Sequence, residues 1–266
     1  MVDPLRADCH THSSASDGSY SPEELCQEAL AVGLAGLSIT DHDTVAAYDQ
    51  LRVPDGLTLL PGVEVTTDLE GSSVHLLAYG FSLDDKEIRE MCRQRLESRR
   101  ERFMEMRQRL QEQGLRLDPN RTWTQTALGR PQLAQELIEM GVCRSYQEAF
   151  TKYLHDHAPA YVPGRSFATL EAIQQLQAAN AYVILAHPML VDRKKLPKLM
   201  AMPLDGLEVW YGHSRGSWVS WMNLAMERHW LMTGGSDFHG AAKPDQPLGA
   251  SWTPWETFQR LCEGRR

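Results

Sequence analysis

Five short apolar runs in this chain stop at a histidine or a carboxylate. Run 5–8 precedes His10 and His12, 36–40 precedes His42, 57–63 precedes Glu64, 181–186 precedes His187, and 230–234 precedes Asp237 and His239. No other feature limits the fold as strongly. Residues i and i+2 of an extended segment point to the same side, so His10 and His12 face one point in space. Run 73–79, with His75 near its start, and run 206–210 bring the expected strands to seven. Helices alternate with them. Ser21, Pro22 and Glu24 form the start of one, with Ser21 as N-cap and Glu24 closing a capping box, and Gly33 ends it. Segments 44–51, 169–179 and 216–228 read as further helices. The alternation predicts an α/β fold in which the carboxyl ends of the strands share one face, where β/α barrels gather their functional residues.

The pattern breaks between 82 and 165. Segment 84–113 is dense in both charge signs and reads as one long helix stopped by Gly114, and 131–140 and 145–155 read as two more. An all-helical insertion is expected there. It divides the chain into an α/β segment over residues 1–81, the insertion over 82–165 and a second α/β segment over 166–266. The formal net charge is −8 and the pI about 5.7, so no global basic field draws long nucleic acid, while a small anionic substrate fits. Cys9, Cys26, Cys92, Cys143 and Cys262 are scattered and form no CxxC pair, which argues against a disulfide framework or a cysteine zinc site. There is no apolar leader at the N-terminus and no run long enough to cross a bilayer, so a soluble cytoplasmic protein with no membrane partner is expected. Nothing in the sequence indicates a protein partner.

Each candidate ligand has an ordinary alternative. His75 lies among Val74, Leu76 and Leu77 and suits a core; His187 before Pro188 suits a turn; Asp237-Phe238-His239 suits a capped loop. Their coincidence at matching strand ends favours the joint reading as a metal site. His155, His157, His213 and His229 lack that placement. Cys9, between two ligands, points away from them and is read as packing. The long helix carries an apolar stripe of Ile88, Cys92, Leu96, Phe103, Met106 and Leu110, and Arg99 falls in it. Either Arg99 meets a buried carboxylate or it points at the site from above.

The series Asp8-x-His10-x-His12, Asp17-Gly18, Thr40-Asp41-His42-Asp43, Gly62-Val63-Glu64, strand residue His75, Ala186-His187-Pro188 and Ser236-Asp237-Phe238-His239 resembles the PHP (polymerase and histidinol phosphatase) superfamily of metal-dependent phosphoesterases. Gly129-Arg130-Pro131-Gln132-Leu133-Ala134, Lys152-Tyr153-Leu154 and Tyr161-Val162-Pro163 resemble its TrpH/YciV-type group. The resemblance implies a distorted seven-stranded β/α barrel and two or three divalent ions. His10, His12, Glu64 and Asp237 would hold the first ion, Glu64, His75 and His187 the second with Glu64 bridging, and Asp17, His42 and His239 the third. Such a donor set suits Mn²⁺ or Fe²⁺, and also Zn²⁺. His10, His12, Glu64, Asp237 and His239 would be the catalytic group. Asp8 would orient a ligand histidine or hold the strand end. Arg130, from the resemblance, and Arg99, from the stripe, would bind substrate.

The implied reaction is hydrolysis of 5′-phosphate esters of nucleotides through a metal-bound hydroxide. The enzyme would be a nucleoside 3′,5′-bisphosphate 5′-phosphatase or a 5′→3′ exoribonuclease on short 5′-phosphorylated RNA. A histidinol-phosphate-type monoesterase and a non-catalytic metal-binding regulatory module are the alternatives. Relatives often carry histidine where this chain has Gln132, which bears on rate and selectivity.

Overall fold

A computed structural model describes residues 5–212 and 218–265; His213 and the start of the helix expected from 216 lie outside them. The order is β1 (Arg6–Thr11), α1 (Pro22–Ala31), β2 (Gly36–Ile39), β3 (Thr58–Leu59), β4 (Gly62–Leu69), β5 (Ser72–Tyr79), α2 (Lys86–Glu112), α3 (Arg130–Glu139), α4 (Tyr146–Ala149) and α5 (Thr169–Ala178). Then come β6 (Tyr182–Leu185), α6 (Leu196–Met200), β7 (Gly206–Tyr211), α7 (Trp218–Glu227), β8 (Leu231–Gly235), β9 (Thr253–Pro254) and α8 (Trp255–Cys262). The strands form two sheets, ordered β3-β2-β1-β9 and β4-β5-β6-β7-β8. The fold is mixed α/β, as expected.

Two seams join the sheets beside the candidate ligands. At one, Asp237 N donates to His10 O at 2.8 Å and His12 N donates to Phe238 O at 2.9 Å. At the other, Asp43 N donates to Glu64 O at 2.8 Å and Glu64 N to Thr40 O at 3.2 Å. Gly235 makes the first seam close: a Cβ there would lie 2.3 Å from the Cβ of His10. α1 starts as its sequence predicts, with both hydrogen bonds of the Ser21–Glu24 capping box present.

Several elements differ from expectation. Nine strands are present among the described residues, because β9 carries no strong strand signal and because the run expected over 57–63 breaks in two. Pro61 has no N–H to donate, and the Tyr48 hydroxyl bridges the gap, donating to Leu60 O and accepting from Gly62 N. Glu64 therefore does not follow a strand end; it is the third residue of β4. His75 lies inside β5, not near its edge. The helix expected over 44–51 is reduced to a 3₁₀ turn, Ala46–Tyr48, after Asp43 takes a left-handed backbone (φ 55°). The helix expected over 145–155 passes from α4 into a π-helical turn, Phe150–Leu154.

No strand interrupts the chain between β5 and β6. α2 is the long first helix of that segment and contributes to two apolar clusters. Ile88 and Cys92 pack with Val65 and Leu76 of the sheets, whereas Phe103, Met106 and Leu110 pack with Leu133, Leu137, Leu154 and Val162. Burial of a side chain such as Phe103 contributes about 2 kcal/mol. Arg99 sits where the stripe passes from one cluster to the other. Cys9 is fully buried against Leu77 and Phe258, which is the packing role expected of it.

Gly235→Ala is expected to cost about 3 kcal/mol by overpacking the β1–β8 seam, and to lower metal content in the same preparation. Urea denaturation together with elemental analysis measures both. Wild-type stability with full metal content would show that the seam tolerates a methyl group.

Candidate metal centre

Glu64 is fixed between the β2 seam and the β4–β5 hairpin. It lies opposite Leu77 in the register, and His75 lies opposite Thr66, so Glu64 and His75 share a face as diagonal neighbours. Glu64 Oε1 lies 2.8 Å from His75 Nδ1 and 3.1 Å from His187 Nε2. Its Oε2 lies 3.4 Å from His10 Nε2, 3.2 Å from His12 Nε2 and 3.0 Å from His42 Nδ1. Asp237 Oδ1 reaches the same two nitrogens, His10 Nε2 at 3.4 Å and His12 Nε2 at 3.2 Å. Further along, Asp17 meets His239 Nε2 at 3.3 Å, His12 Nδ1 at 3.6 Å and His42 Nε2 at 3.7 Å. All nine residues named as candidate ligands are thus brought together, and His12 and His42 each stand between two of the expected groups.

The donor set fits divalent ions. Two donors about 2.1 Å from one ion, at angles of about 90–110°, lie about 3.0–3.4 Å apart, which is the spacing found around Glu64 Oε2 and Asp237 Oδ1. His10 Nε2, both nitrogens of His12, His42 Nδ1, Glu64 Oε2 and His239 Nε2 are buried without a hydrogen-bond partner. Each such atom costs about 1–3 kcal/mol if left unsatisfied, and a cation at their focus removes that cost.

Other side chains aim the donors. Glu208, wholly buried on β7, accepts from His10 Nδ1 at 2.9 Å and from the backbone N–H of His187 at 2.7 Å. A carboxylate acceptor requires a proton on Nδ1 of His10, which leaves Nε2 as the nitrogen that faces inward. His239 Nδ1 donates to Asp237 O at 2.7 Å, turning its Nε2 inward likewise. The Tyr211 hydroxyl and Lys243 Nζ donate to Asp237 Oδ2 at 2.8 and 2.9 Å, leaving Oδ1 for the centre. Asp41 accepts from Ser13 N and from the Ser13 and Ser16 hydroxyls, holding the loop that carries Asp17. His187 and Asp237 adopt left-handed backbones (φ 28° and 54°), a conformation uncommon outside glycine. Asp8 touches no imidazole among the described residues. It accepts from the backbone N–H groups of His10, Ser236 and Gly249 and so holds the strand end, and burial pushes its carboxyl up to about 6.

Glu208, Tyr211 and Lys243 escape sequence reasoning. A carboxylate inside the apolar run 206–211 is the one available signal, since a charge there needs a buried partner.

Electrostatics separates the two sides of the centre. Burial opposes ionisation of Glu64, yet the imidazoles of His42, His75 and His10 hold it well below the usual carboxylate range. Burial likewise opposes charge on His12, but Asp237 and Glu64 override it and push His12 up to about 9. His10, His12, Glu64, Asp237 and His239 are nearly inaccessible, whereas the side chains of His42, His75 and His187 are 15%, 25% and 14% exposed. The centre therefore opens on that side.

Arg99 meets a buried carboxylate. Its Nε donates to Asp43 Oδ2 at 2.5 Å and its Nη2 to Thr66 Oγ1 at 2.7 Å. Arg130 donates to Asp156 Oδ1 at 2.5 Å and to Leu154 O at 3.2 Å. Both line one cavity of about 390 Å³. Gln132 is tied at both ends, accepting from Gly129 N and donating to Ser16 O at 2.8 Å each, so it fastens the loop before Asp17.

Glu208→Gln is expected to lower metal affinity about 10- to 100-fold, because His10 loses its fixed orientation; titration with Mn²⁺ measures it, and unchanged affinity would mean that His10 needs no support. Metal uptake also carries a pH dependence. Below about pH 9 the metal-free His12 holds a proton that an ion must displace. Affinity is therefore expected to rise as pH is raised towards 9, with proton release at neutral pH. Calorimetry in buffers of different ionisation enthalpy detects the release, and its absence would contradict the protonated state.

Comparison with known proteins agrees with this geometry. The PHP domain model matches residues 8–119. The 5′-3′ exoribonuclease Rnm of Escherichia coli (strain K12) is 30% identical over 280 residues, spanning 96% of each chain. The 3′,5′-nucleoside bisphosphate phosphatase of Chromobacterium violaceum is 27% identical over 256 residues, 91% of this chain and 90% of that one. A solved structure from Bifidobacterium adolescentis, assigned as a metal-dependent phosphoesterase, superposes with a TM-score of 0.86 at 31% identity, covering 98% and 97% of the two chains. The chain belongs to the PHP family of metal-dependent phosphoesterases and is a hydrolase of phosphoric ester bonds.

Proposed function

We propose that this enzyme removes nucleotides from the 5′ end of short 5′-phosphorylated RNA, and accepts nucleoside 3′,5′-bisphosphates as minimal substrates. The observation that carries the reading is the position of the open side of the centre. Asp43 follows His42 directly, Thr66 lies across the hairpin from His75, and both line the arginine cavity. A phosphoester at the centre thus has a cationic recess beside it for a second phosphate. Relatives named for RNA and for nucleoside bisphosphates agree with a substrate of two or more phosphates.

His10, His12, Glu64 and Asp237 would hold one ion, Glu64, His75 and His187 another, and Asp17, His42 and His239 a third. Mn²⁺ or Fe²⁺ suits these imidazole-rich groups best, and Zn²⁺ is also compatible. Such ions supply Lewis acidity that activates water and neutralises phosphoryl charge. The chain does the rest. Glu208, Tyr211 and Lys243 keep His10 and Asp237 aimed, and the buried face shuts bulk water out from below. Arg99 and Arg130 would grip the second phosphate through paired hydrogen bonds. We read β1, β2 and β4–β8, joined through both seams, as the distorted seven-stranded barrel, and 82–165 as a helical insertion that supplies the recess.

Product analysis with Mn²⁺ tests the function. Short 5′-phosphorylated RNA is expected to lose mononucleotides stepwise from its 5′ end, and 5′-hydroxyl RNA to react at least about tenfold more slowly, the worth of a charged contact. Turnover of histidinol phosphate in preference to both nucleotide substrates would overturn the assignment.

A further inference from the structure

The cavity beside the centre extends past Arg99. Arg95, Arg99 and Arg102 stand at spacings of four and three on α2, hence on one face of the helix. Arg99 is the proximal member, since it bonds Asp43 and Thr66. Arg102 is one turn further out, with its guanidinium 5.4 Å from the ring centre of Tyr161, and Arg130 stands at 5.8 Å from the same ring.

These cations differ in what neutralises them. Arg99 pairs with Asp43 and Arg130 with Asp156, and Arg95 lies 4.0 Å from Asp43. Arg102 has no carboxylate within ion-pair distance among the described residues. Its Nε donates to the Val162 carbonyl at 2.7 Å, which fixes the group at the wall of the cavity that it lines. Burial, then the neighbouring Arg130, disfavours charge on Arg102. A half-buried guanidinium held rigid among like charges is costly on its own and is stabilised by an incoming anion. Arg99 and Arg102 are separated by a rise of about 4.5 Å along the helix and are tied to different partners, Asp43 with Thr66 and the Val162 carbonyl respectively.

We infer that Arg102, held beside Tyr161, forms a distal phosphate subsite that selects oligonucleotides over mononucleotides. The subsite rests on the function proposed above and adds a residue that sets chain-length preference. The centre holds the scissile phosphoester, which is the 5′-phosphate of a bisphosphate and the first internucleotide linkage of an RNA, Arg99 the next phosphate on its 3′ side, and Arg102 the one beyond. An adenosine 3′,5′-bisphosphate ends before reaching Arg102, whereas an RNA hexamer passes it.

The test compares wild type, R102M and R102K on a 5′-phosphorylated RNA hexamer, adenosine 3′,5′-bisphosphate and an aryl phosphate, all with Mn²⁺. In R102M the ratio of hexamer to aryl phosphate kcat/KM is expected to fall about tenfold, mainly through KM. The ratio of bisphosphate to aryl phosphate should fall much less. The salt dependence of hexamer kcat/KM should flatten by about 0.7 in log–log slope, one single-strand phosphate contact. R102K should retain that slope, because it keeps the charge. Hexamer turnover and salt slope unaltered by R102M, or an equal loss on all three substrates, would overturn the subsite alone. Wild-type enzyme that cleaves aryl phosphate but neither nucleotide substrate would overturn the proposed function and the subsite with it.

Discussion

Both oxygens of one buried carboxylate, Glu64, face five imidazoles, and the arrangement of the surrounding elements follows from that convergence. A carboxylate so deeply placed is stable only if something cancels its charge. The imidazoles do so partly, yet His10, His12 and His42 present ring nitrogens with no hydrogen-bond partner in return. The set is incomplete as an ion-pair network, and its unpaired nitrogens and carboxylate oxygens converge in groups that could hold a metal ion. Its geometry depends on backbone seams: β2 reaches Glu64 through Thr40 and Asp43, and β8 reaches His10 and His12 through Asp237 and Phe238. These same two contacts connect the two sheets, so the fold and the site share their joints.

α2 couples the site to the helical segment. Its first turns pack on the sheets and its later turns on a separate cluster, with Arg99 at the crossing. Arg99 binds Asp43, which neighbours His42; Gln132 binds Ser16, which neighbours Asp17; and Thr126 and Ala127 donate to Ala15. The helices are therefore fastened to the loops carrying two ligands. Displacing them would disturb substrate grip and metal geometry together.

Much of this is legible in the residues themselves. Strand-end spacing exposes His10, His12, His42, His187, Asp237 and His239, because a period of two and a run of apolar residues suffice to say which way an imidazole points. Glu64 is recognisable as a ligand but is misplaced by the apolar pattern, since Pro61 breaks the strand two residues earlier than that pattern suggests. Glu208 shows only as a carboxylate inside an apolar run, and Tyr211 and Lys243 leave no signal, for a different reason. Their roles depend on which strands lie side by side, and β7–β8 pairing has a register irregularity between Glu208 and Trp210 that no periodicity reveals. The stripe on α2 singles out Arg99, and its alternatives turn out to be compatible: the guanidinium meets a carboxylate and also borders the cavity.

The charge balance explains how an acidic enzyme can hold an anionic substrate. The chain carries a formal net charge of −8, which at a distance repels extended nucleic acid. Screening confines that repulsion to about 10 Å at ordinary ionic strength, and a recess walled by Arg95, Arg99, Arg102 and Arg130 reverses the sign locally. The β4–β5 hairpin and α2 both line that recess, so the positive charge is held between two fixed elements beside the centre, where an anionic group meets it at contact range while the overall negative charge acts only further out.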